Sequence, residues 1–188
     1  RGLLIRRQGI GTFVANQTPF FDYGLEVLES LDSLAYRSGI ETQVHEVEII
    51  SRRIKKDEIK VFSPESSDVN VIQVSRVIAV KEKPVAYLID IVPSSLLTEE
   101  EIKDSFHGSV YDILANKKEI SLSYSRTDIM ALKSNVEISR RLSIPHGTAL
   151  ILLTAQLFSH TDQVADYSYS YFVPGQFKFH VMRRLNRP

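Results

Sequence analysis

The chain has 188 residues, an apolar fraction of 43%, no cysteine and a formal net charge of zero. That length suits one full domain with a fragment of another, and the composition excludes disulfide frameworks and thiolate metal sites. Five scattered histidines in no H-E-x-x-H spacing imply no metal, and no apolar run is long enough to cross a bilayer, so a cytoplasmic location without a membrane partner is expected.

The first seventeen residues, RGLLIRRQGIGTFVANQ, hold Arg1, Arg6 and Arg7 and no acid, whereas the remainder carries 20 basic and 23 acidic residues. The body is therefore not a nucleic-acid surface by charge. A short strand, a glycine turn and a second strand predict a hairpin with arginines flanking its tip. That is the pattern of a wing in a winged helix-turn-helix domain, with an ordinary surface hairpin as the alternative. Arg6 and Arg7 suit phosphate or A·T-groove contacts, and Gly9 and Gly11 allow a tight turn. The three helices that precede a wing are not in the sequence, so this stretch is expected to bind DNA poorly by itself. Pro19 and Gly24 punctuate residues 15–24, which divides the chain into a wing at 1–17, a linker at 18–24 and a body at 25–188.

Leu25, Leu28, Leu31, Leu34 and Ala35 recur at helical spacing and predict a helix over 25–38, stopped at Gly39. Residues 43–51 alternate as a strand, 54–62 read as a short helix and 63–68 as a loop. Strands at 69–80 and 85–92 form a hairpin across Lys81-Glu82-Lys83-Pro84. Thr98 with Glu101 makes a capping box, and Ser109 with Asp112 starts a second helix. Residues 120–131 are extended. A helix capped at Ser134 or Asn135 runs to Leu142 and is closed by Pro145 and Gly147. A hairpin over 148–158 and 164–172 and a last strand over 178–184 complete the pattern. Hairpins dominate, so the expected fold is α+β, a mainly antiparallel sheet with flanking helices.

A hairpin centred on Lys83 sets Arg76 opposite Asp90 and Ile78 opposite Leu88. Arg76 shares an apolar strand face with Ile72, Val74, Ile78 and Val80, so it needs a partner, and Asp90 is the natural one. The pair is either a structural cross-strand bridge or an arginine offered to an anionic effector. No carboxylate pair is placed for acid–base work and no G-x-S-x-G signature occurs, so no catalytic residue is expected.

An ordered set of pieces carries a resemblance: GIGTFV, the leucine helix ending in Ser38-Gly39, Arg76, Pro84-Val85-Ala86, Pro93, Ser109-Val110-Tyr111, Ile144-Pro145-His146-Gly147, Asp166 and Phe177-Lys178-Phe179. In this order the chain resembles the GntR superfamily of bacterial transcription regulators, in particular the HutC subfamily with its UTRA effector-binding domain. The resemblance implies a chorismate-lyase-like fold, a homodimer, a small-molecule effector and no cofactor. It also implies operator DNA as partner of the full-length protein. The alternatives are a chorismate-lyase-like enzyme, against which the wing argues, and a dimerisation module without ligand.

The same resemblance implies effector contacts from Ser30, Arg76, Ile78, Leu88, Asp90, Ser109, Tyr111, Asp166 and Phe172. Relatives that bind phosphorylated sugars show arginine at the positions of both Arg76 and Ile78, and glutamate at that of Leu88. Their serine- or threonine-rich helix start, here Glu29-Ser30-Leu31, cradles the phosphate, which Glu29 would repel. Asp166 stands where relatives carry a glutamate that binds a ligand hydroxyl or amine. These departures point away from sugar phosphates. Ser109 is also a helix cap, and Tyr111 is as readily core as ligand-facing. Tyr167, Tyr169 and Tyr171 lie on the face opposite Asp166, and are read as helix-packing core or dimer surface rather than a ligand box.

Overall fold

A computed structural model describes residues 4–7, 11–14, 21–62 and 69–183. Two strands open it, β1 (Leu4–Arg7) and β2 (Gly11–Val14), paired antiparallel with Arg7 opposite Gly11. The hairpin expected of the wing is thus present in its backbone, while Gly9 at its tip lies outside the described residues.

Strand β3 (Phe21–Gly24) follows, then helix α1 (Leu31–Arg37), β4 (Gln43–Arg53), α2 (Lys56–Phe62), β5 (Asn70–Val80) and β6 (Lys83–Pro93). The second half runs α3 (Glu99–Ser105), α4 (Val110–Asn116), β7 (Leu122–Lys133), α5 (Val136–Arg141), β8 (Ala149–Ser159), β9 (Val164–Phe172) and β10 (Phe177–His180). Six strands make one sheet in the order β4-β5-β6-β9-β8-β7, every neighbour antiparallel. The α+β expectation holds.

Both faces of the central strands are covered, as the near-continuous burial of β5 and β6 shows, while the edge strands β4 and β7 are largely exposed. On the Arg76 face, α1, β3 and β10 pack at one end around Phe21, Leu34, Ile78, Phe172 and Phe177. At the other end α3 and α4 pack on Ile72, Val74 and Val92 through Leu97, Ile102, Val110 and Leu114. On the opposite face α5 sets Ile138 and Leu142 against Val77, Tyr87 and Leu150. There α2 brings Ile59 and Phe62 to Val71, Ile91, Tyr167 and Tyr169. The tyrosine run is therefore helix-packing core, with Phe62 edge-on to Tyr167 and Tyr87 stacked on Tyr171.

Four local expectations are corrected. The leucine helix is shorter than 25–38: Ser30 accepts from the Ser33 N–H as N-cap, so the helix starts at Leu31. The backbone before it is engaged elsewhere. Phe21–Gly24 pairs parallel with β10, and the Leu25 N–H donates to the His180 carbonyl. The segment read as linker thus ends in a strand, and Phe21 stacks on Phe177 at 4.7 Å between ring centres. The last strand ends at His180, where that pairing ends.

The fourth correction is register. Val80 pairs with Lys83, so the turn is the two residues Lys81-Glu82, at φ +49° and +63°. Both values lie in the left-handed region that a mirror-image hairpin turn demands. Pro84 is drawn into the strand, and a bulge follows Ile78. Arg76 therefore faces Leu88, Ile78 faces Ala86 and Asp90 faces Val74. The slip is two residues, which preserves each side chain's face.

Candidate functional site

The Arg76–Asp90 bridge survives the change of register as a diagonal pair. The Arg76 Nη1 donates to Asp90 Oδ2, and both side chains are almost wholly buried. Its Nε donates to the Gly108 carbonyl at 2.6 Å, and its guanidinium lies over the Phe106 ring, 5.6 Å from the centre. All three contacts are inside the protein. Arg76 thereby ties β5 and β6 to the loop that opens α4.

Beside this pair stands Asp166 on β9, only 5% exposed. Its Oδ1 has no hydrogen-bond partner among the described residues. Burial raises its pKa well above the ordinary carboxylate range, the charge of Asp90 raises it further, and Arg76 only partly opposes them. Two carboxylates thus share one guanidinium, and that guanidinium is already engaged. Ser168, next to Asp166 on the same face, lies opposite Asp90. The Asp166 carboxyl is held by the Ile91 N–H and by Asp90, and what it lacks is a partner for Oδ1.

The loop around Gly108 is where several elements meet. Gly108 has φ +118°, and a Cβ there would stand 2.4 Å from Asp32 Oδ2 of α1. Ser109 caps α4 by accepting from the Asp112 N–H. Asp32 accepts from Thr42 Oγ1 at 3.4 Å. Burial raises its pKa, Arg76 counters and Asp112 adds to the rise. A cleft of about 420 Å³ opens between α3 and α4, lined by Asp32, Glu101, His107, Ser109, Asp112 and Lys117 among others. Lys117 is spoken for by Glu101 at 2.7 Å and the Leu96 carbonyl at 2.9 Å. The lining therefore holds three carboxylates against one neutralised lysine and a histidine, and it disfavours a phosphate.

The predicted residues fall into groups. Arg76, Asp90 and Asp166 come together, and Ser109 adjoins them through Gly108 while also lining the cleft. Ser30 is buried as the cap of α1. Ile78, Leu88 and Phe172 are packed into the apolar cluster under α1. Tyr111 is half-buried against the α3–α4 cluster and lies near Tyr23, whose pKa burial raises and whose hydroxyl donates to the Glu29 carbonyl. Sequence reasoning passed over Asp32, Phe106, Gly108 and Asp112. The His107-Gly108 step before the Ser109 cap was the available signal, since a glycine there marks a turn. Among the described residues no group of His, Asp and Glu is placed to hold a metal ion, and no helix is long and apolar enough to cross a membrane.

Residues 39–178 match the family model of the UTRA domain. No curated protein matches the sequence. Among solved structures, PhnF from Mycobacterium smegmatis superposes with a TM-score of 0.80 at 16% identity, covering 98% of this chain and 80% of that one. The effector domain of the same protein gives 0.77 at 14% identity, covering 87% and 99%. The ligand-binding domain of a putative GntR-family transcriptional regulator from Bordetella bronchiseptica gives 0.65 at 15% identity, covering 78% and 91%.

Proposed function

The chain belongs to the UTRA domain family, and from that premise we propose that it is the effector-sensing part of a cytoplasmic, homodimeric transcription regulator of the GntR superfamily and its HutC subfamily. In this reading residues 1–17 are the wing, with Arg6, Arg7, Gly9 and Gly11 against operator DNA. Residues 18–20 link it to the sensor, which takes in β3 from Phe21 onward as well as 25–188. A small molecule binds on the Arg76 face of the sheet and under the α1 and α4 starts. It regulates by preferring one arrangement of the dimer, since a ligand that binds both equally shifts nothing.

One observation carries the effector's class. Asp166 is buried with an unpaired oxygen beside Asp90, while Arg76 is consumed by Asp90 and Gly108. A ligand that donates, through an amine or a hydroxyl, meets that need. A phosphate meets two carboxylates and no free guanidinium. The test is a thermal-shift panel of small amines, polyols and glucosamine 6-phosphate on wild type and Asp166→Asn. Stabilisation by an amine or polyol that the variant loses supports the reading; a strong response to the sugar phosphate overturns it.

A further inference from the structure

The two edges of the main sheet are treated differently. Strand β4 is blunted: its register breaks between His45 and Glu48, Glu46 sits at φ +49°, and Glu46 and Glu48 are held by Arg141 of α5. Bulges and charge are the usual protection of a free strand edge. Strand β7 at the other edge is twelve residues long, and its ladder with β8 runs unbroken from Tyr124 to Lys133. Among the described residues nothing pairs with its outer side. Residues 126–130 are all exposed, including Ile129 at 55% and Met130 at 50%. Tyr124, also exposed, stacks on Phe158 of β8 and extends the apolar surface inward. The one irregularity of β7 lies at its start, between Leu122 and Tyr124, and beyond it the long, partly apolar edge calls for a partner strand.

We propose that β7 is the subunit contact: two copies pair their β7 strands antiparallel about a two-fold axis through Thr127, with Arg126 of each opposite Asp128 of the other. The inference rests on the homodimer reading above and adds the surface to it.

Symmetry and charge choose the register. A two-fold axis perpendicular to the sheet keeps each face on its own side, so opposed residues must share a face and one residue must meet its own copy. Centred on Thr127, the strand is self-complementary: Arg126 meets Asp128, Tyr124 meets Met130 and Ser125 meets Ile129. Centred one residue earlier, Arg126 meets Arg126; one residue later, Asp128 meets Asp128. Like charges directly opposite are unfavourable, whereas opposite charges contribute. Within one copy Arg126 and Asp128 lie 3.6 Å apart on one face, both more than half exposed. In the pair the four groups form a ring of alternating sign.

The experiment is sedimentation velocity on the full chain. Wild type is expected to be a dimer at tens of micromolar. Arg126→Asp and Asp128→Arg each bring like charges together and are expected to weaken association at least tenfold. The double exchange Arg126→Asp/Asp128→Arg is expected to return it to within about threefold of wild type. Far-ultraviolet circular dichroism checks that each variant is folded. Because the chain has no cysteine, Thr127→Cys offers a second readout, a disulfide between copies under mild oxidation. Ile129→Cys is the control and does not crosslink, its two copies being roughly 14 Å apart along the strands. A dimer indifferent to both single exchanges, or equal crosslinking at 127 and 129, overturns the β7 contact and leaves the homodimer reading standing. A wild-type monomer overturns that reading and the contact with it.

Discussion

Asp166 sits where a neutral side chain would suit the folded protein better. Its folded pKa is raised, by burial first and by Asp90 second, so the native state binds its proton more readily than the unfolded chain. The sign follows: the protein is best off below the unfolded value near ~4, and loses stability as pH rises from there towards the folded value. Asp166→Asn is therefore expected to be more stable than wild type at pH 7 and to lose that advantage near pH 4, measured by urea unfolding at both. The trade, stability given up for an unpaired acceptor, is what a binding residue shows. Arg76 is the opposite case. Its removal leaves Asp90 and Asp166 buried without a counter-charge, and Arg76→Ala is expected to cost about 3–5 kcal/mol, read from the same curves. Gly108→Ala forces a side chain into a left-handed backbone against Asp32 and is expected to cost about 1–3 kcal/mol.

At the level of elements, the β5–β6 turn shows what a sequence discloses and what it hides. The two strands and their shared faces were plain from alternation. The register was not, because Lys81-Glu82 fills a turn that favours Asn-Gly, and Pro84 looks like part of the loop although it begins the strand ladder. Lys81→Asn with Glu82→Gly relieves two left-handed residues and is expected to stabilise the chain by about 1–2 kcal/mol, visible as a rise in melting temperature. The leucine spacing over 25–35 misled for a related reason: periodicity records which residues are apolar, not where a backbone is already engaged. Residues 21–25 are taken up by β10, about 155 positions away, a pairing that no local pattern announces. The site follows the same rule. Arg76 with Asp90 was legible because a buried charge demands a partner. Asp32 and Phe106 were not, because they reach Gly108 and Arg76 only through the packing of α1 and the end of α3.

For the whole molecule, two buried acids pull the pH profile in opposite directions. Glu58 anchors α2 to β4: burial raises its pKa, but two hydrogen bonds from Arg52 and one from the Lys55 N–H more than reverse this and leave it lowered. A lowered acid stabilises above its unfolded pKa and surrenders that contribution as pH falls through the folded value. Glu58→Gln is expected to lower stability at pH 7 and to converge on wild type as pH falls below the ordinary glutamate value near ~4, by thermal unfolding across that range. With Asp166 favouring acid and Glu58 favouring neutrality, their two contributions to the pH profile oppose each other.

The parallel pairing of β3 with β10 has a mechanical consequence. Parallel strands drawn along their length load their hydrogen bonds together, in shear, instead of one after another as in unzipping. A tug on the chain ahead of Phe21 would be shared between the run of β3 into α1 and the ladder with β10, where Phe177 is stacked on Phe21 and packed edge-on to Phe172. Phe172 ends the strand that holds Asp166. A clasp of three stacked and edge-packed rings, Phe21, Phe177 and Phe172, thus joins the strand that enters the body to the strand that carries Asp166.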